Sequence, residues 1–316
     1  MAEQKTLMIL SPGPLTTVQD LGRFGLARHG VPPSGAMDSF SLRVGNRLVN
    51  NGEDQASLEI TMIGPKILAL TNALIAVTGA DLQPRINDSP IEMWSSHILK
   101  KGEVLSFRGP RKGCRAYLSI GGGISVPEIL GSRSTNLAAR FGGFEGRPLR
   151  KDDVISSESP DRYLKGEGRF LEKALIPSFP NHQVLRVIWG PQQDHFPYET
   201  RERFTGSSFL VTPQSDRTGM RLSGPPIKAR EGLEGSIISE GVVPGAVQIP
   251  GDAQPIIILY ETVTGGYRKI ATVISADLPL LGQLKPGDRV SFREVSLDEA
   301  GEAARAGARV PHIRVR

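Results

Sequence analysis

The chain has 316 residues, a net charge of +5, 36 glycines, 24 prolines and a single cysteine, which makes it longer than one average domain and too rich in turn formers for a helical bundle. The lone cysteine excludes a disulfide framework and a cysteine-based zinc site, five scattered histidines form no metal triad, and the basic residues form no stripe or helix of the kind nucleic acid requires. The N-terminus carries no signal pattern and no apolar run approaches membrane-spanning length, so a reduced, cytoplasmic setting away from membranes is expected.

Residues 5–10 read as a first strand, closed by Ser11-Pro12-Gly13-Pro14. A shaped loop follows, with four glycines and the polar set Thr16, Thr17, Gln19, Asp20, Arg23, Ser34 and Asp38. Loops so punctuated, held on rigid elements, are where function concentrates. Asp20 and Arg23, three apart, are expected to make a surface ion link. Gln19 and Arg23 suit a carboxylate or amide, and Arg is the better carboxylate fork. On a purely structural reading, Asp20 and Ser34 satisfy loop backbone groups. Asp38 is placed to cap a helix over 36–50, which Asn50-Asn51-Gly52 would end.

From Ser57 to Phe107 short apolar runs alternate with turns, the pattern of an antiparallel sandwich or barrel. Cys114 sits in a predicted strand ending at Ile120 and reads as a buried structural thiol. Gly121-Gly122-Gly123 is expected to be a tight, exposed turn, and 131–147, with Arg133, Arg140 and Arg147, a long loop. These readings divide the chain into a first half over 1–160, a linker over 161–183, a second half over 184–296, and a helix with a loose basic tail over 297–316. Lys101-Gly102-Glu103-Val104-Leu105-Ser106-Phe107 echoes Lys285-Pro286-Gly287-Asp288-Arg289-Val290-Ser291-Phe292, as if each half entered its core by a turn and an edge strand.

In the second half, Gln248, Asp252 and Gln254 alternate around Pro250-Gly251 and predict a turn lined with amides and a carboxylate. Thr264-Gly265-Gly266-Tyr267-Arg268-Lys269 offers backbone N–H groups, a phenol and a cation, but lacks the G-x-x-x-x-G-K-[ST] spacing of a nucleotide loop. Ser215-Asp216-Arg217 predicts a turn with an Asp–Arg link. His195, directly after a strand end, is the histidine best placed to lie near a site.

Taken together, Thr16-Thr17-Val18-Gln19-Asp20-x-Gly22-Arg23-x-Gly25, Gly30-Val31-Pro32-x-Ser34-Gly35-Ala36-Met37-Asp38, Leu58-Glu59, Thr78-Gly79-Ala80, Gly121-Gly122, Ser215-x-Arg217-x-Gly219 and Gln248-x-Pro250-x-x-x-Gln254-Pro255-Ile256 resemble the 5-oxoprolinase C-subunit family. That family is also called KipI antagonist or allophanate hydrolase subunit 2, and is related to the carboxyltransferase domain of urea carboxylase. The resemblance runs in register from about residue 8 to 293. It implies a mainly β fold of two cyclophilin-like β-barrels with a few short helices, and a site in the cleft between them. It further implies an ATP-dependent complex hydrolysing 5-oxo-L-proline to L-glutamate, with a KipI-like B-subunit and a LamB/YcsF-like A-subunit, and ATP bound by or shared with a partner.

The residues expected to do chemistry are Lys269, Asp20 and Asp252. Those expected to hold a small amide or lactam are Gln19, Arg23, Ser34, Gln248, Gln254, Gly265, Gly266 and Tyr267. No metal is expected. Two alternatives stand beside this reading. One is a biotin-dependent carboxyltransferase acting on a urea-like amide, with biotin on a separate carrier because no Ala-Met-Lys-Met motif occurs in the chain. The other is a non-enzymatic antagonist of a KipI-like kinase inhibitor. Relatives often read Gln-Thr-Thr-Gly-Gly-Tyr-Pro where this chain has Thr262-Val263-Thr264-Gly265-Gly266-Tyr267-Arg268, so this stretch is where substrate identity is expected to diverge.

Overall fold

The computed structural model describes residues 3–316. The protein is mainly β and divides into two compact units, the first comprising the residues up to Arg23, Ser34–Ser178 and Val310–Arg316, the second Phe24–Pro33 and Phe179–Arg309.

The first unit is built on two large sheets. One runs in the order Val154–Glu158, Glu3–Ser11, Lys66–Ala69, Val104–Phe107, Pro84–Ile86, Ser89–Pro90; the other runs Leu15–Gln19, Ser57–Thr61, Lys112–Ile120, Ala73–Asp81, Ser96–Leu99. The strand period of two decides what each face buries. In Lys112–Ile120, Ala116, Leu118 and Ile120 join Leu7, Ile9, Ile60, Ile75 and Val77 in the main core. Tyr117, on the opposite face, packs with Leu42 of the helix Ser39–Leu48. Covered on both faces, this strand is buried at every position after Lys112, and each fully buried aliphatic side chain contributes about 1.5–3 kcal/mol of transfer free energy. The helix begins where expected: the Asp38 carboxylate accepts from Ser41 N (2.9 Å) and Ser41 Oγ (2.6 Å), satisfying an otherwise orphan helix-start donor. Cys114 is buried in its strand.

Two expectations for this unit are corrected. The Gly121–Gly123 turn is not exposed, because its backbone packs into the unit. Gly122 has φ +91, and a Cβ there would lie 2.0 Å from the Glu158 carbonyl oxygen, so only glycine fits. Nor is the tail loose. Arg314–Val315 pairs with Arg169–Phe170, Arg314 and Arg316 make ion pairs with Glu172 and Glu92, and the Arg316 guanidinium lies 5.2 Å from the Phe170 ring centre. The basic residues that made the tail look unstructured are what fasten it. The stretch expected to be a linker holds the short helix Pro160–Gly166 and the strand Arg169–Phe170.

The second unit is a closed barrel of seven strands, ordered His182–Trp189, Arg268–Val273, Ala246–Ile249, Ile256–Ile258, Gly219–Ser223, Ser208–Ser215, Arg289–Glu294. Closure is made by parallel pairing of the first and last, His182–Trp189 with Arg289–Glu294, which leaves no exposed edge in the ladder. Phe204, on the helix Tyr198–Gly206, stacks on Phe292 at 4.4 Å between ring centres and sits 6.1 Å from Phe209. Both echo segments do lead from a turn into a strand, but Val104–Phe107 and Arg289–Glu294 are each flanked by strands on both sides, so neither is an edge. No helix among the described residues is long and apolar enough to cross a membrane.

Candidate functional site

Each unit gathers its own set of the residues singled out by sequence. In the first, the loop after Leu15–Gln19 turns inward, and the expected surface link between Asp20 and Arg23 is replaced by a buried network. The Asp20 carboxylate accepts from Ser132 Oγ (2.6 Å), Ser134 Oγ, the Arg133 N–H (2.5 Å) and the Gly22 N–H (2.8 Å). Arg23, 2% exposed, donates from Nη2 to the Ser134 carbonyl (2.6 Å), and its guanidinium lies 4.7 Å from the Phe141 ring centre. Burial lowers the Arg23 pKa from its usual value, although the charge of Asp20 opposes the shift. Gln19 donates from Nε2 to Thr17 Oγ1 (3.1 Å) and the Thr135 carbonyl (3.2 Å). Ser34, at φ +53, accepts from Asn136 Nδ2 (3.0 Å). Within this network two buried polar atoms are left without a partner, Gln19 Oε1 and Arg23 Nη1. Buried polar atoms are normally satisfied, so these two are exceptions within the network.

Behind this loop, Glu59 accepts from Tyr117 Oη (2.7 Å) and the Met37 N–H (2.8 Å), and Tyr117 Oη accepts from the Asp38 N–H (2.8 Å). Burial, then the negative charges of Glu59 and Asp38, push the Tyr117 phenol well above its usual pKa. Arg140, Arg147 and Arg150 line a pocket of about 460 Å³ beside the 131–147 loop.

In the second unit the three residues expected to line one turn take separate roles. Gln254 clamps Gly224, accepting from its N–H (2.8 Å) and donating to its carbonyl (3.2 Å). Asp252 is half-exposed and paired with Arg221 at 2.5 Å. Partial burial opposes ionisation of Asp252, but the Gln254 N–H and Arg221 outweigh it and hold its pKa below the usual carboxylate range. Of the three, Gln248 alone is buried. It is opposite Lys269 in the barrel ladder, and its Nε2 has no hydrogen-bond partner. Gly265 lies against that amide: a Cβ there would be 2.3 Å from Gln248 Nε2. Gly266 accepts from the Ile237 N–H (2.8 Å) and Tyr267 is partly exposed beside it.

Lys269 is 5% exposed. Its ammonium donates to Glu240 Oε1, which also accepts from Gln192 Nε2 (2.7 Å), while Gln192 Oε1 accepts from the Lys269 N–H (3.0 Å). Hydrogen bonds from Lys269 and then from Gln192 hold Glu240 below the usual carboxylate range. Sequence reasoning missed Glu240 and Gln192. Glu240 lies in an irregular exposed stretch and is set beside the cluster by the two-residue ladder of Glu240–Gly241 with Thr264–Gly265, which leaves no periodic signal. Arg268, where relatives often carry proline, is buried and donates to His195 Nδ1 (3.1 Å) and the Glu234 carbonyl; this places His195 beside the segment. The expected Asp216–Arg217 link is replaced. Arg217 Nε pairs with Glu261 Oε1 at 2.7 Å with both side chains 3% exposed, and Asp216 turns back to accept from the N–H groups of Thr218 and Gly219. Among the described residues no group of His, Cys, Asp and Glu is arranged to hold a metal.

The sequence profile of the carboxyltransferase domain, subdomain A and B, matches residues 29–294. Over 299 residues the chain is 35% identical to the C-subunit of 5-oxoprolinase from Escherichia coli, covering 94% of both chains. It is 38% identical over 311 residues to the urea amidolyase of Lachancea kluyveri, covering 92% of this chain and 17% of that protein. The crystal structure of the K. lactis urea amidolyase superposes with a TM-score of 0.91 at 36% identity, covering 98% of this chain and 20% of that one. The chain therefore spans about a fifth of the urea amidolyases it matches.

Proposed function

The chain belongs to the carboxyltransferase-domain family, subdomains A and B, and from that premise we propose that it is one component of an ATP-dependent 5-oxoprolinase. With a KipI-like and a LamB/YcsF-like partner, the complex hydrolyses 5-oxo-L-proline to L-glutamate in the cytoplasm. The observation that carries this reading is the match to the C-subunit of 5-oxoprolinase, which extends over 94% of both chains.

A lactam is a poor electrophile, so its opening requires activation and a site that receives negative oxygen. In this reading the second unit supplies the groups that hold the charged end of the substrate and so orient its ring for opening. Lys269 provides the charge, Gln248 Nε2 a free N–H, and Gly265 the space that lets the amide lie flat. Tyr267 stands at its rim. Asp20 acts as a positioning residue, because its carboxylate is engaged by Ser132, Ser134 and two backbone N–H groups. Gln19 and Arg23, each with one unpartnered buried atom, are the groups of the first unit assigned to substrate. A single ammonium already matched by one carboxylate fits an amide or a monocarboxylate, and does not fit a triphosphate. ATP is therefore assigned to a partner or to the interface with it.

Gly265→Ala is expected to raise the KM for 5-oxoproline about tenfold with little change in stability, because the new methyl must push the Gln248 amide aside. Steady-state kinetics of the reconstituted complex measures this, and an unchanged KM would remove Gln248 from the site. The 38% identity to a urea amidolyase favours one second reading, carboxyl transfer from a separate biotin carrier to a urea-like amide. Supplying the complex with 5-oxoproline or urea, with and without avidin, separates the two: avidin-resistant glutamate release supports hydrolysis, and avidin-sensitive ATP turnover with urea supports carboxyl transfer.

A further inference from the structure

Glu240 does not behave like a structural acid. Lys269, its partner, is nearly buried, whereas the Glu240 side chain is 44% exposed. The acid therefore sits on the solvent-facing half of the pair, where it can exchange protein donors for water. Its stretch, 228–241, is exposed almost throughout, and beside Glu240 it is held by the two-residue ladder with Thr264–Gly265 and by the Ile237 N–H on the Gly266 carbonyl. The basic half is fixed: Lys269 and Gln248 lie in adjacent barrel strands, opposite one another, and Gln192 is locked to the Lys269 N–H through its own carbonyl.

A buried ammonium requires an anion. The surrounding donors are Lys269 Nζ, Gln192 Nε2 and the partnerless Gln248 Nε2, which is one donor more than Glu240 uses. Two of these donors already meet on Glu240 Oε1, the third belongs to the residue opposite Lys269 in the barrel ladder, and N–H donors of this kind match a carboxylate. Glu240, held anionic at neutral pH by the two donors it does use, is such a carboxylate supplied by the chain itself.

We propose that Lys269, Gln192 and Gln248 form a carboxylate-binding subsite which Glu240 occupies in the resting chain, and that the carboxylate of an incoming substrate binds by displacing it. This rests on the reading above that the cluster handles 5-oxo-L-proline, and adds which groups receive its carboxylate and what holds them beforehand. Glu240 is then an autoinhibitory latch. The apparent affinity for a carboxylate is reduced by the fraction of molecules in which the latch is closed.

The test needs neither partners, ATP nor turnover. Sodium acetate is titrated into the full chain, and the side-chain amide resonances of Gln192 and Gln248 are followed by NMR, with sodium chloride as the ionic-strength control. Glu240→Gln, at a half-exposed position, is expected to bind acetate about five- to tenfold more tightly than the wild type, and adding Lys269→Met is expected to abolish the saturable shift. Equal acetate affinity in wild type and Glu240→Gln, or saturable binding that persists in the double variant, would overturn the proposal. Because acetate is the ligand, a complex that releases no glutamate would defeat the oxoprolinase reading without touching this result. Conversely, glutamate release with unchanged acetate binding would defeat the latch alone.

Discussion

Lys269→Met in the reconstituted complex is expected to lower kcat/KM for 5-oxoproline by about 10²- to 10³-fold, the scale of losing the charged anchor that positions a substrate. The substitution keeps the length and apolar stem of the side chain and removes only the ammonium. Its Glu240 partner is 44% exposed, so the carboxylate left behind regains water and retains Gln192. The unfolding midpoint is therefore expected to stay within a few degrees of the wild type, in contrast to the cost of stranding a buried charge. Parallel kinetics and thermal melts check both halves. Near-normal turnover in a folded Lys269→Met complex would take the second-unit cluster out of the chemistry.

The second large effect is on stability. Arg217 and Glu261 form an ion pair at 2.7 Å with both side chains 3% exposed. Arg217→Met leaves the Glu261 carboxylate buried without its counter-ion, and is expected to destabilise the protein by about 3–5 kcal/mol. Joint replacement, Arg217→Met with Glu261→Leu, is expected to recover much of that loss, because an apolar pair of similar volume strands no charge. Urea denaturation of the three proteins gives the coupling. A loss in Arg217→Met that the double variant does not relieve would mean that the pair is not what the residue contributes. The pair also bears on the site, since Glu261 lies in the segment leading to Gly265, and the N–H groups of Leu259 and Tyr260 bond the Thr218 and Arg217 carbonyls.

What the sequence revealed and what it hid divide along physical lines. The helix cap at Asp38, the buried strand through Cys114 and the barrel strands follow from local chemistry and from a period of two, both of which are written along the chain. The family motifs pointed to Gln19, Asp20, Arg23, Gln248, Gly265 and Lys269, and the structure places them in two polar clusters, one in each unit. It was the partners of these residues that could not be read. Asp20 and Arg23 looked like a surface link because they stand three apart, yet Asp20 accepts from Ser132 and Ser134 and Arg23 donates to the Ser134 carbonyl, all more than a hundred positions away. Arg217 has an acid next to it in sequence and pairs instead with Glu261 across the barrel. Glu240 carries no pattern at all, because a side chain on an irregular strap is placed by the surface it rests on, not by its neighbours in the chain. Gln254, prominent in the motif, proves to clamp the backbone of Gly224.

The central claim, that this chain is an obligatory member of an oxoprolinase, is tested most directly by ATP-dependent glutamate release from 5-oxo-L-proline with this protein and its two partners, each omitted in turn. Release that requires all three is the result expected. Undiminished release without this chain, or none from a stable three-part complex, would contradict it.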